Sequence, residues 1–171
     1  KFSENEIVEE ELKQAKFLYI EGYLVTSETG RAAAVKARKI AEKHGVKTAL
    51  TFSDPGMVTY FRDGLEEMKG EQVDLLFCNE DEAKSFAGVD SVDEAIDSLK
   101  KADKTFAVTL GPKGAMVYDG SELVTVGTDK VEAIDTIGAG DLFAGTFLYS
   151  ITNGLSYKEA AEVSCIASSN L

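Results

Sequence analysis

Hydrophobic and polar positions follow two different periods along the first two thirds of the chain. Short apolar runs typical of strands occupy residues 17–24, 46–53, 73–78 and 105–111. Segments with a helical period lie between them: residues 27–45, the segment after Pro55, "EDEAKSFAG" and "SVDEAIDSLKKA". This β-α-β-α-β-α-α-β order predicts parallel strands with right-handed crossovers, and therefore an α/β sandwich.

The pattern changes after residue 111. Two β-rich runs in residues 114–127 meet at Asp119 and Gly120, which predicts a β-hairpin with a tight type I′ turn. A glycine-rich stretch, "DTIGAGD" (135–141), then leads into an apolar helix expected to end near Asn153, and a last helix begins at Ser156. At 171 residues the chain has the length of a single domain, 1–171.

Composition excludes some classes of partner. The formal charge is −12, which would repel nucleic acid and anionic lipid, and no apolar run approaches the ~20 residues of a membrane span. We therefore expect no nucleic-acid partner and no membrane segment. Cys78 and Cys165 lack metal-ligand spacing, which predicts free buried thiols and a reducing, cytoplasmic location. His44, directly before Gly45, fits the last turn of a helix.

Three clusters of polar or glycine residues lie at predicted ends of strands or starts of helices. The clusters are "NEDE" (79–82), "TLGPKG" (109–114) and "DTIGAGD" (135–141). Ligands of open α/β sheets gather beyond the carboxyl ends of the parallel strands. These three clusters are therefore the candidate binding residues.

The glycine-rich cluster offers an anion site. Backbone N–H groups of Gly138, Ala139 and Gly140 at a helix start would bind a phosphate, and Asp141 would take a proton from an attacking hydroxyl. The alternative is an ordinary turn in which Asp141 caps the helix. Two glycines and a second acid, Asp135, exceed what a cap requires.

The other two clusters have ordinary interpretations when taken singly. Asn79 with Glu82 fits a capping box at a solvated helix start. "TLGPKG" lacks the spacing of a Walker A loop and fits a turn between strand and hairpin equally well. No G-x-G-x-x-G follows the first strand, which disfavours a Rossmann-type dinucleotide domain.

Together, the three motifs and their order resemble the C-terminal half of the PfkB/ribokinase family of carbohydrate and nucleoside kinases. "DTIGAGD" is similar to that family's D-T-x-G-A-G-D signature, "NEDE" to its N-x-x-E motif and "VTLGPKGA" to its T-x-G-x-x-G segment. The resemblance covers essentially the whole chain. It implies a ribokinase-like three-layer α/β/α sandwich, with residues 1–171 as the ATP-binding portion and the N-terminal acceptor-binding and lid part absent.

The resemblance also implies roles for single residues. Asp141 would be the catalytic base, and the backbone of Gly138, Ala139 and Gly140 the anion hole. Asn79 and Glu82 would order Mg²⁺ around the phosphates of ATP. The positions matching nucleotide contacts are Thr109, Gly111, Gly114 and Cys165, although a core cysteine explains Cys165 as well. Asp135 matches a monovalent-cation position, for K⁺.

The activity implied is ATP-dependent phosphorylation of a hydroxymethyl group on a small sugar or nucleoside. "YIEGYLVT" and "LTFSDPGMV" look most like adenosine-kinase-like sugar kinases. The alternative is a non-catalytic nucleotide-binding or interaction module. If the sheet of the family ends here, an apolar strand becomes an edge, and we then expect poor solubility or a homodimer.

Overall fold

The computed structural model describes residues 2–127 and 138–169, which contain a six-stranded sheet. Its strands are β1 (Phe17–Glu21), β2 (Lys47–Thr51), β3 (Leu75–Asn79), β4 (Phe106–Thr109), β5 (Ala115–Tyr118) and β6 (Leu123–Val126). They lie side by side in chain order. Strands β1 to β4 are parallel, and β5 and β6 continue the sheet as an antiparallel hairpin. The predicted mostly parallel sheet with a hairpin is confirmed.

Helices connect the parallel strands and follow the hairpin. They are α1 (Glu9–Leu12), α2 (Glu28–His44), α3 (Pro55–Tyr60), α4 (Arg62–Lys69), α5 (Glu80–Ala87), α6 (Val92–Ala102), α7 (Ala139–Thr152) and α8 (Tyr157–Ser168). Local capping sets their ends. The hydroxyl of Ser27 accepts the N–H of Gly30 at the start of α2, and Gly45 ends that helix with a φ of 70°. His44 lies in its last turn, as predicted.

Each face of the sheet packs against its own set of helices. Side chains alternate along β3, so Leu76 and Cys78 join the core under α2 to α6, whereas Leu75 and Phe77 join the core under α7 and α8. Both cysteines are buried and free, as predicted. The result is the three-layer α/β/α sandwich expected from the sequence.

Some boundaries differ from the prediction. Strand β1 ends at Glu21, because the chain turns into a 3₁₀ helix (Gly22–Thr26) at the point where Gly22 crosses the end of β2. Strand β4 ends at Thr109, and the 3₁₀ helix Gly111–Lys113 follows it. The helical segment after Pro55 is two helices, α3 and α4, which meet at Phe61.

The predicted type I′ turn across Asp119 and Gly120 is wrong. The N–H of Asp119 bonds to the carbonyl of Glu122, so the two central residues are Gly120 and Ser121. Of these two, only Gly120 has a positive φ, 98°, as in a type II′ turn. The Asp119 carboxylate accepts the N–H groups of Ser121 and Glu122 at 2.8 and 2.7 Å, which holds the turn one residue later than expected.

Two further expectations concern surfaces. None of the described helices has the length and apolar composition needed to cross a bilayer. Strand β1 lies at one edge of the sheet, where half-buried Phe17, Leu18 and Tyr19 follow one another. Association through this edge stays a prediction.

Candidate active site

A cleft of about 550 Å³ opens where the carboxyl ends of β1 to β4 meet the beginning of α7. This volume lies within the ~300–1,000 Å³ of typical small-molecule sites. The register explains the convergence, because Glu21 pairs with Thr51 and Asn79 pairs with Thr109 at the same edge. The polar side chains that line the cleft belong to Glu21, Tyr23, Thr51, Ser53, Asn79, Glu82, Thr109 and Asp141.

The start of α7 forms one wall of this cleft. Gly138 is the N-cap residue with a φ of 82°, and the first intrahelical bond runs from the N–H of Leu142 to the carbonyl of Gly138 at 2.9 Å. The N–H groups of residues 139–141 therefore precede any intrahelical acceptor. No described atom lies within 4 Å of a Cβ built on Gly138 or Gly140. No described side chain covers these two glycines, and in this sense the start of α7 is open.

Asp141 occupies the third position of α7, not its N-cap. Gly138 holds the cap position, so the capping interpretation of Asp141 is wrong. The side chain of Asp141 is exposed and lines the cleft together with Gly138 and Gly140. A carboxylate thus lies beside helix-start N–H groups that have no intrahelical acceptor, and its role as a base stays a prediction. Ala139 lies between the two lining glycines but is not itself a lining residue, so its place in the anion hole stays a prediction.

Asn79 and Glu82 form a closed capping box at the start of α5. The side-chain oxygen of Asn79 accepts the N–H of Glu82 at 2.8 Å, and one Glu82 carboxylate oxygen accepts the N–H of Asn79 at 3.0 Å. The Asn79 amide also donates to the other Glu82 oxygen, at 2.8 Å. The predicted capping box is thus confirmed, but the helix start is not solvated at Glu82, which is buried. Both residues line the cleft as well.

Glu82 is the most perturbed acid of the cleft. It is only 4% exposed, and burial raises its pKa to about 7 despite the N–H that it accepts from Asn79. Nearby Asp54 and Asp81 raise the pKa further. A buried carboxylate among other carboxylates is stabilised by a cation, which is the setting of a metal-binding acid.

The cleft carries an excess of negative charge. Among the described residues that line it, Glu21, Glu82 and Asp141 are acids, and none is lysine or arginine. No group of three or more metal-ligating side chains occurs among the described residues. This donor set fits Mg²⁺, which is commonly held by one or two protein oxygens together with substrate phosphates and water.

The candidate nucleotide contacts separate into two groups. Thr109 and Gly111 line the cleft at the end of β4. Gly114 and Cys165 are not among the lining residues: Gly114 begins the hairpin, and Cys165 is buried in the core beneath α7 and α8. The assignments of these two residues stay predictions. Asp135, the candidate cation ligand, lies outside the described residues.

The structure requires glycine at position 114 for a steric reason. Its φ is 97°, and a Cβ there would lie 1.9 Å from the carbonyl oxygen of Val126. We expect Gly114→Ala to lower the free energy of unfolding by at least about 2 kcal/mol, measured by chemical denaturation. Gly127→Ala is the matched control, because no described atom lies within 4 Å of its Cβ, and it should be nearly neutral. Equal effects of the two substitutions would contradict the steric argument.

Sequence reasoning missed the contribution of β1 and β2. Glu21 ends β1 and Tyr23 follows it, Thr51 ends β2 and Ser53 follows it, and all four line the cleft. The general rule that ligands bind at carboxyl ends of parallel strands was the available signal. Their residue types form no motif, so the pattern of the sequence alone did not single them out.

Tyr19 lies one row beneath these residues. Its ring meets Phe77 edge-on, with 6.2 Å between the ring centroids. Burial and the facing carboxylates of Glu21 and Asp141 hold the pKa of Tyr19 well above its ordinary value. The Tyr19 hydroxyl therefore stays neutral beside the acidic cleft.

Ser53 is strained. Its φ of 68° is the one positive value among the described non-glycine residues. Backbone of this kind costs of order 1–3 kcal/mol and tends to occur at functional sites. Because Ser53 is both strained and part of the cleft, it is a candidate functional residue.

The comparisons with known proteins agree with this geometry. The chain is 28% identical to adenosine kinase 1 of Arabidopsis thaliana over 177 residues, covering 92% of this chain and 49% of that protein. It is 32% identical to the ribokinase of Haemophilus influenzae over 143 residues, covering 80% of this chain and 44% of that protein. The crystal structure of adenosine kinase from Sinorhizobium meliloti superposes with a TM-score of 0.92 at 34% identity, covering 98% of this chain and 52% of that chain.

The fold is that of a ribokinase-like α/β protein. The family model described as pfkB family carbohydrate kinase matches residues 1–170, and the chain belongs to this family. The chain spans about half the length, or less, of the curated relatives it matches.

Proposed function

We propose that the protein is an ATP-dependent kinase that phosphorylates a hydroxymethyl group of a small sugar or nucleoside. One observation carries the proposal: Asp141 and the open amides of α7 face the same cleft as the Asn79–Glu82 pair. Phosphoryl transfer needs a base, an anion site and a metal-binding carboxylate, which here would be Asp141, the α7 amides and Glu82. Membership of the pfkB family supports the same activity.

The order of the strands divides the cleft into two ends. Asn79, Glu82, Thr109 and Gly111 lie at the ends of β3 and β4, and Glu21 with Ser53 lies at the ends of β1 and β2. Gly138, Gly140 and Asp141, at the start of α7, line the same cleft. We assign the nucleotide phosphates to the β3–β4 end and the acceptor to the β1–β2 end, with transfer between them near Asp141.

The chemistry follows from this placement. The Asp141 carboxylate accepts the proton of the acceptor hydroxyl, and the hydroxyl oxygen attacks the terminal phosphorus of ATP. The bond from that phosphorus to the bridging oxygen of the β-phosphate breaks, and ADP leaves. The amides at Gly138 and Gly140 stabilise the charge on the transferring phosphoryl oxygens. Bound Mg²⁺ supplies charge neutralisation at the phosphates, and Glu82 with Asn79 would hold it. A K⁺ requirement stays a prediction.

The names of relatives suggest the acceptor. Proteins named adenosine kinase and ribokinase occur among them, and both kinds of acceptor carry a ribose hydroxymethyl group. We therefore propose a ribose-containing acceptor, with adenosine-like nucleosides favoured.

The acidity of the cleft gives a direct test of nucleotide binding. We expect ATP to bind at least about tenfold more tightly with Mg²⁺ than with excess chelator, because the described residues that line the cleft include three carboxylates and no lysine or arginine. Isothermal titration calorimetry of the full-length protein measures this ratio. Binding that is equally tight without Mg²⁺ would contradict the assignment of the phosphates to this cleft.

A second candidate function is nucleotide binding without catalysis. It would use the same nucleotide end of the cleft, which Asn79, Glu82, Thr109 and Gly111 line. An assay of ADP release over a panel of sugars and nucleosides separates the two functions. Acceptor-dependent ADP release supports the kinase, whereas ATP binding without acceptor-dependent release supports the second candidate.

A further inference from the structure

The end of β2 contains an unusual turn. The N–H of Asp54 bonds to the carbonyl of Phe52 at 2.8 Å, which closes a three-residue γ-turn around Ser53. Ser53 has a φ of 68°, in the left-handed region that favours glycine. This type of γ-turn is rare and strained. Ser53 lines the cleft, so the strain lies within the site.

The turn directs a hydroxyl group at a carboxylate on the neighbouring strand. The Ser53 hydroxyl donates to one carboxylate oxygen of Glu21 at 2.9 Å, and the Ser53 N–H donates to the Thr51 hydroxyl at 3.2 Å. Glu21 is the last residue of β1 and lines the same cleft. The pair therefore links the ends of β1 and β2.

On the β1 side, the backbone at Gly22 leaves no space for a side chain. A Cβ on Gly22 would lie 2.6 Å from the carbonyl oxygens of both Thr51 and Phe52. Only a residue without a side chain lets the two strand ends cross this closely. Gly22 and the turn at Ser53 thus act together, one bringing the strand ends into contact and the other aiming the hydroxyl.

We propose that Ser53 is a positioning residue that holds Glu21 toward the hydroxyl groups of the acceptor. This rests on the proposed kinase function, because it assigns the β1–β2 end of the cleft to the acceptor. A carboxylate accepts hydrogen bonds at several lone pairs, so Glu21 keeps acceptor capacity for a polyol while Ser53 fixes its orientation. Glycine would adopt the same φ without strain, but it lacks the hydroxyl that reaches Glu21.

The test compares variants in the full-length protein. Ser53→Ala removes the hydroxyl and keeps the strain, whereas Ser53→Gly removes both. We expect each variant to raise the KM for the acceptor about tenfold or more, with kcat and the KM for ATP changed less than about threefold. Ser53→Gly should unfold at a higher temperature than Ser53→Ala, because its backbone is relaxed.

A double-mutant cycle distinguishes positioning from general support of the fold. In a Glu21→Ala background, Ser53→Ala should raise the acceptor KM no further, since the group it holds is gone. The matched control is Ser121→Ala, which removes a hydroxyl bonded at 2.9 Å to the carboxylate of Asp119 in the hairpin turn, away from the cleft. This control should leave both KM values unchanged.

The outcomes separate this inference from the function on which it rests. An active wild type whose acceptor KM is unaltered in both Ser53 variants overturns the inference alone, and so does full additivity with Glu21→Ala. A wild type that turns over no acceptor of the panel overturns the proposed function and this inference with it. An acceptor KM that rises in both variants but not in the Ser121→Ala control supports the positioning role.

Discussion

Replacing Asp141 with asparagine is expected to lower kcat by about 10²- to 10⁴-fold while leaving ATP binding nearly unchanged. The asparagine side chain keeps the shape of aspartate but cannot take the proton of the acceptor hydroxyl. Asp141 lies at the third position of α7, exposed to the cleft, so its replacement leaves the core intact. Steady-state kinetics with calorimetry of Mg·ATP on the same preparation measures both quantities.

The control for this substitution is Asp97→Asn. Asp97 is an exposed acid on α6, 3.9 Å from Lys100, and it does not line the cleft. Its replacement should leave kcat within about twofold of the wild type, as for other surface substitutions. Unaltered turnover in Asp141→Asn would remove this residue from the chemistry and would leave the α7 amides as a binding site only.

Glu82→Gln is expected to raise the Mg²⁺ concentration for half-maximal activity by about tenfold or more. Glutamine retains the size and much of the capping-box hydrogen bonding of Glu82, but it lacks the negative charge that attracts the cation. The measurement is a Mg²⁺ titration of turnover at fixed ATP. A titration curve identical to that of the wild type would exclude Glu82 from the metal site.

The same substitution has a second effect, on stability and its pH dependence. The pKa of Glu82 is about 7, above the value of 4.5 for an unperturbed glutamate. Because the folded state holds this proton more tightly, the associated stability is fully present below pH ~4.5 and is lost as pH rises through 7. We expect the wild type, free of Mg²⁺, to lose up to roughly 3 kcal/mol from this group between pH 5 and 8.

The glutamine variant should lack this decline, since it carries no titratable group at position 82. Denaturant unfolding of both proteins at several pH values, with chelator present, gives the comparison. Glu80→Gln is the matched control on the first turn of the same helix, where Glu80 pairs with Lys84 outside the cleft. It should preserve both the decline with pH and the Mg²⁺ requirement. A wild type and a Glu82→Gln variant with parallel pH profiles would contradict the raised pKa.

Much of the fold was predictable because the periodicity of the apolar residues is strong. The continuous run at 73–78 became the central strand β3, buried on both faces, and the helical segments on either side supply the covering layers. The capping box at Asn79 and Glu82 was predictable from their spacing alone. These features depend on neighbours in sequence, which is why a single sequence reveals them.

The β1–β2 end of the cleft was not predictable, because it depends on contacts between distant residues. Glu21 and Ser53 are 32 positions apart, and their hydrogen bond follows from the close crossing at Gly22 and a positive φ at a serine. Nothing in the residue types signals either feature. The prediction of the hairpin turn failed because the Asp119 side chain accepts two backbone N–H groups and shifts the turn by one residue.

The simple succession of strands across the sheet has a consequence for how this family can diversify. Because spatial order repeats chain order, each short stretch of sequence governs one portion of the binding surface. On the proposed assignment of the two ends of the cleft, exchanges near Glu21 and Ser53 would change the choice of acceptor while the residues near Asn79 and Thr109 stay the same. We therefore expect acceptor preference to be separable, in sequence, from binding of the phosphate donor.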